Sequence, residues 1–304
     1  MHHSVVRRTL IALLAVPFLL TAGCGGGGGT VVIVGQKFTE ADIMTQLYKA
    51  VLDHEGYDTS VKNLGARDIY LGPLSKGDVT ISADYLSSMT EALNRKQNGD
   101  DAPKVASPDA AATLAELNKL AAKEGLTALQ PAKAEDANAF AVTREFADGN
   151  RITTLSDLGA SGLAVKLGGN SDCPQRADCQ KGLEDTYGIK ISGFEPTGFG
   201  SQATKDDLVK GVTQIGSVGT TDATLDKLGL VILTDDKHLQ NAENLVPIVN
   251  SAWLKDNEKA RKALDELSAV LTTEDLTTLI GKVDLDREKA ADVAQAYLKD
   301  KGLI

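Results

Sequence analysis

Short apolar runs alternate with amphipathic segments along most of this chain. The first run, TVVIVGQKF from Thr30, is rich in β-branched residues and is typical of a buried strand in a parallel sheet. It leads directly into a segment whose apolar residues recur at helical spacing from Ile43 to Leu52. Such an alternation indicates an α/β fold, in which helices cover mainly parallel sheets.

The same alternation continues beyond the first unit. Further runs with strand character are YDTSVKNL, VTIS, NAFAVT, GLAVKL, IKISGF, QIGSV and LVILT, and helical patterns lie near Ile69 to Leu74 and from Pro108 to Glu124. Residues from 257 onward are almost entirely helical in pattern, and we assign their apolar stripes to the core.

The chain also matches itself. LSKGDVTISADYLSS and LVKGVTQIGSVGTTD align without gaps, and each describes a helix that ends at glycine, a buried strand and a hydroxyl-rich loop. In open α/β sheets, ligands bind beyond the carboxyl ends of the strands. We therefore expect two lobes that face each other across a cleft, with Asp84 and Tyr85 on one wall and Thr221 and Asp222 on the other. The alternative is a pair of solvated loops.

The length of the chain also favours two lobes, because 304 residues exceed one typical hydrophobic core. We predict that residues 30–135 and 248–304 form the first lobe. Residues 136–247 are expected to form the second lobe.

Residues 1–23 have the pattern of a secretory signal peptide. Arg7 and Arg8 precede an apolar run that is too short to span a bilayer comfortably, and the small residues before Cys24 resemble a lipobox. We therefore expect residues 24–29 to be a lipid-anchored cysteine followed by a flexible glycine tether. The alternative is an ordinary cleaved signal with an incidental cysteine.

Two further cysteines, Cys173 and Cys179, flank a short polar segment. In an exported protein, such a pair is expected to form a local disulfide. A zinc site is the alternative, but zinc takes four ligands, and the histidines outside the leader, His54 and His238, are far away in sequence. We therefore predict no metal site.

The charge of the chain argues against nucleic acid as a partner. Lysine and arginine total 32 and aspartate and glutamate total 42, which gives a formal net charge of −10, whereas phosphate binding needs concentrated positive charge. The sequence also contains no Gly-x-Ser-x-Gly elbow, no zinc motif and no phosphate-binding loop, so we predict neither an enzyme nor a bound cofactor.

Several segments taken together resemble the substrate-binding lipoproteins of ABC importers for glycine betaine, choline and carnitine. They are VGQKFTEADIMTQLYKAVL, NLGARDIYLGPLSKGDVTISADYL, NAFAVT, CPQRADCQKGLEDTYGI, TTD and NLVPIVN. The resemblance implies a type II periplasmic-binding-protein fold, with two α/β lobes joined by two crossing segments. It also implies a monomer, held by lipid on the extracytoplasmic side of the membrane, which closes over a small solute and delivers it to an ABC permease and ATPase.

The same resemblance implies a set of ligand-binding residues. In that family, a box of tyrosines holds a quaternary ammonium group by cation–π attraction, and hydrogen bonds hold the carboxylate or hydroxyl tail. The positions of this sequence that match residues lining the family's cleft are Phe38, Thr39, Glu40, Asp84, Tyr85, Asn138, Phe140, Arg176, Thr221 and Asp222. Of these, Phe140 stands where a tyrosine is usual.

Two other positions depart from the pattern of the family. Ser82 and Gly219 stand where tyrosines of the box are usual, which implies a roomier and more hydroxylated cleft. A larger or uncharged polar solute is therefore an alternative ligand. Two further alternatives are an enzyme on the same two-lobed scaffold and a lipid-anchored sensory or adhesion module that binds a partner protein.

Overall fold

The computed structural model describes residues 29–304, in which two five-stranded sheets are each covered by helices. The expected signal peptide (residues 1–23), Cys24 and the glycines up to residue 28 lie outside this part of the chain. Within residues 29–304, no helix combines the length and the apolar character that crossing a bilayer requires. The fold is the two-lobed α/β architecture that the alternating pattern predicts.

The first lobe contains both ends of the described chain. Its elements are β1 (Val31–Gly35), α1 (Thr39–His54), β2 (Thr59–Asn63), α2 (Arg67–Lys76), β3 (Ile81–Tyr85), α3 (Leu86–Asn98), α4 (Ala110–Lys123), β4 (Leu126–Ala128), β10 (Leu245–Asn250), α9 (Ser251–Leu254), α10 (Glu258–Val270), α11 (Thr273–Asp284) and α12 (Ala290–Asp300). The strand order is β2-β1-β3-β10-β4.

The second lobe is the continuous middle of the chain. Its elements are β5 (Asn138–Thr143), α5 (Arg144–Asn150), α6 (Leu155–Ser161), β6 (Ala164–Gly168), α7 (Gln180–Tyr187), β7 (Lys190–Glu195), α8 (Gln202–Val209), β8 (Ile215–Gly219) and β9 (Leu230–Leu233). The strand order is β7-β6-β8-β5-β9.

The two sheets share one plan. The strand β3 is central in the first sheet and pairs in parallel with β1 and antiparallel with β10, while β8 is central in the second and pairs in parallel with β6 and antiparallel with β5. The two segments that match each other in sequence thus lie in different sheets at equivalent places. Each strand ends at the cleft, where Tyr85 lies opposite Leu245 and Gly219 lies opposite Asn138.

Burial on both faces of the sheets explains the near-continuous apolar runs of the strands. In β1, Ile33 contacts the core beneath α1 with Leu47, whereas the next residue, Val34, contacts the opposite core with Tyr70. All four side chains are almost fully buried, and burial of a residue of this size contributes about 1.5–3 kcal/mol. The first sheet is therefore held from both sides.

The chain crosses between the lobes twice, along two neighbouring segments. Glu135 forms an antiparallel bridge with Asn244, and the backbone N–H of Asp136 donates to the carbonyl of Glu243 at 3.0 Å. The second crossing ends where β10 enters the first sheet at Leu245, so the expected lobe boundary at residue 248 falls inside this strand. The two crossings form the floor of the cleft.

The end of β3 differs from the polar loop that the sequence pattern suggested. Helix α3 begins directly at Leu86, and the Ser87 hydroxyl donates to the carbonyl of Ala242 at 2.6 Å, while the Ser88 hydroxyl donates to Glu243 at 2.8 Å. These two serines fasten the start of α3 to the second crossing. They stabilise the floor of the cleft from the first lobe.

A disulfide joins Cys173 and Cys179, which are six positions apart. It closes the turn that carries Arg176, and both cysteines are buried in the core of the second lobe with Leu183. The bridge therefore shapes one edge of the cleft.

The disulfide leads to a stability prediction. Because so short a closed segment restricts little chain entropy, replacing both cysteines by serine should lower the free energy of unfolding by only about 2 kcal/mol. Mass spectrometry of unreduced protein should show the loss of two hydrogens relative to reduced protein. Two free thiols in protein exported to an oxidising compartment would contradict the bridge.

Candidate functional site

One cavity between the lobes, which we call the aromatic cavity, has a volume of about 360 Å³. It is lined by Phe38, Thr39 and Glu40 from the first lobe, and by residues of the second lobe and the first crossing. The latter include Asp136, Phe199, Gly219, Thr221 and Asp222. Five of the expected site residues therefore meet at one place in the structure.

Two phenylalanine rings from opposite lobes line the aromatic cavity. Phe38 precedes α1 in an extended conformation and is 44% exposed, and Phe199, on the turn between β7 and α8, is 42% exposed. No other aromatic side chain in residues 29–304 is as accessible. Exposed rings of this kind present their faces to whatever enters between the lobes.

Tyr85 supports this arrangement from behind. Its ring stacks on Phe38 with a centroid distance of 6.3 Å, and its hydroxyl donates a hydrogen bond of 2.6 Å to Oε1 of Glu40. Tyr85 is buried and does not line any of the described cavities. We therefore describe it as a residue that positions Phe38 and Glu40.

Two of the carboxyl groups that line the aromatic cavity, those of Glu40 and Asp136, have raised pKa values. Burial and the nearby charge of Asp136 raise the pKa of Glu40 to about 8, although the Tyr85 hydrogen bond opposes this shift. Burial also raises the pKa of Asp136, whose carboxylate accepts a hydrogen bond of 3.0 Å from the Thr221 hydroxyl. Across residues 29–304, neither carboxyl group forms an ion pair with a lysine, arginine or histidine.

Asp222, in contrast, has its own cation. Its Oδ2 pairs with Nζ of Lys205 at 2.9 Å, and its Oδ1 accepts a hydrogen bond of 2.6 Å from the Thr224 hydroxyl. Asp222 thus contributes to the wall of the aromatic cavity as a neutralised pair. The acidic character of the cavity comes from Glu40, Asp136 and Asp284.

The second cavity, which we call the polar cavity, has a volume of about 700 Å³. Its charged lining residues are Arg67, Glu91, Arg95, Lys104, Arg176, Asp178 and Glu243. Burial raises the pKa of Glu243 to about 7, and its hydrogen bonds from Ser88 oppose this shift. The polar cavity therefore has four basic and three acidic side chains, whereas the charged residues that line the aromatic cavity are all acidic.

Asn138 and Arg176 lie in the polar cavity, as expected for residues at the cleft. The guanidinium of Arg176 donates two hydrogen bonds to the carboxylate of Asp178, at 2.9 and 2.7 Å. Asn138 also borders a small pocket that contains Phe199, and its side chain makes no hydrogen bond to any residue within 29–304. Its amide is thus available to a ligand at the junction of the two cavities.

Asp84 is not a cleft residue, contrary to the sequence-based expectation. It is 1% exposed, and its carboxylate accepts hydrogen bonds from Arg67, at 2.6 Å from Nη2, and from the Tyr70 hydroxyl at 2.8 Å. These partners fill the space between α2 and β3. Asp84 instead fixes Arg67 at the edge of the polar cavity.

Phe140 and Ser82 are also interior residues. Phe140 is 2% exposed and packs in the core of the second lobe with Leu167. Ser82 is fully buried in β3 on the side of Tyr70, so a tyrosine at position 82 would overpack the core instead of entering the cleft. Neither position can supply a ring to the aromatic cavity.

Gly219 does lie at the cavity, and Phe199 fills the space beside it. A Cβ atom at position 219 would lie 3.3 Å from Oδ1 of Asp136 and 3.9 Å from two atoms of the Phe199 ring. Phe199 is flanked by Gly198 (φ 97°) and Gly200 (φ 53°), and both glycines donate backbone hydrogen bonds, to Gly169 and Ser217 respectively. In the sequence, only the two flanking glycines mark Phe199. They indicate a turn, because this segment has neither strand nor helix periodicity.

Residues 29–304 contain no group of three histidine, cysteine, aspartate or glutamate side chains arranged to hold a metal ion. The residues that line the two cavities are suited to binding a solute by non-covalent contacts. Two ring faces and two acidic groups can hold a cationic group, and the amide and basic side chains nearby can hold an anionic or hydroxyl tail.

The chain is similar in sequence to a known family of substrate-binding domains. A sequence model of the family described as the substrate binding domain of ABC-type glycine betaine transport systems matches residues 29–300. The chain is 27% identical to the glycine betaine-binding protein YehZ of Escherichia coli (strain K12), over 97% of this chain and 96% of that protein.

Solved structures show the same fold. A glycine betaine/carnitine/choline ABC transporter structure aligns with a TM-score of 0.79 at 20% identity, covering 90% of this chain and 99% of that one. The closed, glycine betaine-bound lactococcal OpuAC aligns with a TM-score of 0.54 at 14% identity, covering 90% and 97%.

The buried ion pair leads to a prediction about stability. Arg67→Ala leaves the Asp84 carboxylate buried without its cation, so it should lower the free energy of unfolding by about 3–5 kcal/mol. Arg144→Ala is the matched control, because Arg144 pairs with the exposed Asp226, and we expect a loss below about 1 kcal/mol. Denaturant titration followed by fluorescence of the single Trp253, which packs near Tyr57 in the first lobe, measures both. Equal losses in the two variants would contradict a structural role for the buried pair.

Proposed function

The chain belongs to the family of substrate-binding domains of ABC-type glycine betaine transport systems, and on this premise we propose that it binds a quaternary ammonium osmoprotectant in the aromatic cavity. Glycine betaine and choline are the first candidates. The protein is a solute receptor and not an enzyme, and it works with an ABC permease and its ATPase. We place it on the extracytoplasmic side of the membrane.

The observation that carries this proposal is the pairing of two exposed rings with two unpaired acids. Phe38 and Phe199 approach the same cavity from opposite lobes, and Glu40 and Asp136 lie beside them. A trimethylammonium group has no hydrogen-bond donors, so ring faces and carboxylates are the groups that attract it. Each ring contributes about 0.5–2 kcal/mol, more when water is excluded.

The tail of the solute would point toward Asn138. Asp136 and Asn138 are two residues apart in an extended segment, which separates the acidic and amide groups by about 7 Å. Beyond Asn138 lie the basic side chains of the polar cavity, and Arg176 shares two pockets with Asn138. This polarity suits a solute with a cationic head and a carboxylate or hydroxyl tail.

Binding between two lobes also explains how the receptor would signal that it is loaded. A solute that contacts Phe38 on one lobe and Phe199 on the other has more contacts when the lobes are closed. Its differential affinity therefore shifts the population toward the closed form. The crossing segments provide the hinge for this motion.

Several finer features form part of the proposal. We infer export by the signal peptide of residues 1–23, lipid attachment at Cys24 and a monomeric receptor. We also infer that residues 30–135 with 248–304 and residues 136–247 move as the two lobes, with the second boundary adjusted to the start of β10 at Leu245.

A second candidate is a larger or uncharged polar solute in the polar cavity. Its volume of about 700 Å³ and its polar lining favour this reading, and the absence of a side chain at Gly219 leaves fewer rings than a full tyrosine box. A thermal-shift screen with betaine, choline, carnitine, ectoine, polyols and sugars separates the two candidates. A ligand present at 100 times its dissociation constant stabilises the protein by about 2.7 kcal/mol.

The aromatic cavity leads to a prediction about affinity. Phe199→Ala and Phe38→Ala should each weaken binding of glycine betaine about tenfold, because each removes one ring face worth about 1.4 kcal/mol. Val209→Ala is the control, because Val209 is exposed on the same lobe as Phe199 but lines no described cavity. Calorimetric titration measures the three variants against the unchanged protein. Binding that is unaltered in both phenylalanine variants would refute the aromatic cavity as the ligand site.

A further inference from the structure

Glu40 and Asp136 stand out because their environment leaves them without a cation. Glu40 lies in the first turn of α1 and is 4% exposed, while Asp136 lies in the first crossing. Their hydrogen-bond donors are the hydroxyls of Tyr85 and Thr221, which cannot neutralise a carboxylate. Two negative charges that share one partly buried cavity repel each other, so one of the groups keeps its proton.

The other charged groups around this pair do not change that conclusion. Asp284 on α11 lines the same cavity and accepts a hydrogen bond of 2.7 Å from the Thr39 hydroxyl. Lys205 on α8 lies beside the cavity on the opposite lobe, but its Nζ pairs with Asp222 at 2.9 Å and donates to the Thr224 hydroxyl at 2.8 Å. The surroundings of Glu40 therefore remain acidic.

We propose that Glu40 holds a proton in the empty cleft and releases it when a cationic solute enters the aromatic cavity, so that cation binding is linked to proton release. The inference rests on the proposed function, because it assumes that the aromatic cavity is the solute site. Asp136 acts as the neighbour that keeps Glu40 protonated. Tyr85 and the N-terminus of α1 stabilise the carboxylate once the proton has left.

The direction of the pH dependence of cation affinity follows from the two protonation states of Glu40. In the empty protein, burial and Asp136 raise the pKa of Glu40 to about 8, so the carboxyl group is mostly neutral at pH 7. A cation beside it favours the charged form and lowers its pKa. Affinity for a cation should therefore rise by up to about tenfold per pH unit below pH 8 and level off above it.

The consequence for specificity is that solutes are distinguished by charge as well as shape. A neutral molecule of the same shape gains nothing from ionised Glu40, so its affinity should not rise with pH. The pair thus makes the cavity selective for cations under the conditions in which Glu40 can ionise.

The test is calorimetric titration of the purified chain with choline at pH 7, in phosphate and in Tris, whose ionisation enthalpies differ. The difference in heat counts the protons released on binding, and we expect about one per choline. The matched ligand is 3,3-dimethyl-1-butanol, which has a carbon atom in place of the choline nitrogen, and we expect no proton release with it.

Three variants test whether Glu40 is the source of the proton that is released when choline binds. Glu40→Gln keeps a group that can bond to the Tyr85 hydroxyl and should abolish proton release and the pH dependence of choline affinity. Asp136→Asn should reduce the release, because it removes the charge that acts together with burial to raise the pKa of Glu40. Asp265→Asn is the control, because burial also raises the pKa of Asp265 but this residue lies on α10 away from the cleft, and it should leave the release unchanged.

The outcomes separate this inference from the proposed function. Choline binding without proton release, release that persists in Glu40→Gln, or equal release with the neutral analogue would each overturn the inference and leave the receptor function standing. A lack of binding by both glycine betaine and choline would overturn the two together.

Discussion

The paired crossing of the chain between the lobes is the constraint from which the site follows. Glu135 and Asn244 form a bridge, Leu245 donates a backbone hydrogen bond of 3.0 Å to Ala134, and the two crossings continue into β5 and β10. Each of these strands runs antiparallel to the central strand of its sheet. The ends of both central strands are thereby brought to one floor, and the residues that line the aromatic cavity come from segments next to this floor in both lobes.

Electrostatics then separates the acidic side chains near the cleft into two kinds. Asp84 is buried with Arg67, so its charge is balanced and serves the fold. Glu40 is buried and Asp136 is partly buried, both without a cation, an arrangement that costs free energy unless a proton or a ligand neutralises them. Asp84 therefore already has a cation as its partner, whereas Glu40 and Asp136 can still pair with a cationic solute.

The sequence pattern accounts for much of the fold and part of the site. Alternation of strand and helix patterns predicts both sheets, and the self-match of the chain correctly places β3 and β8 in different lobes. The sequence pattern does not predict the start of α3, because Ser87 and Ser88 are typical of a polar loop. Their hydrogen-bond partners lie on the second crossing. The relevant bonds join residues 155 positions apart, which no local pattern contains.

Individual site residues were harder to predict for a related reason. Whether Asp84 faces solvent or Arg67 depends on how α2 packs on the sheet, and whether Phe140 faces the cleft or the core depends on which face of β5 is covered. Phe199 belongs to a turn set by two glycines with positive φ, and its position relative to Phe38 exists only once the lobes are assembled. Resemblance to a family supplied Asp84 and Phe140 as candidates, and tertiary packing placed both of them in the interior.

The central claim is that the aromatic cavity holds the cationic head of the solute, and a crystal structure of the chain with bound glycine betaine tests it most directly. The account predicts a trimethylammonium group between the rings of Phe38 and Phe199, beside Glu40 and Asp136, with the carboxylate directed toward Asn138. A betaine bound only in the polar cavity near Arg95 and Lys104, without contact to either ring, would contradict it.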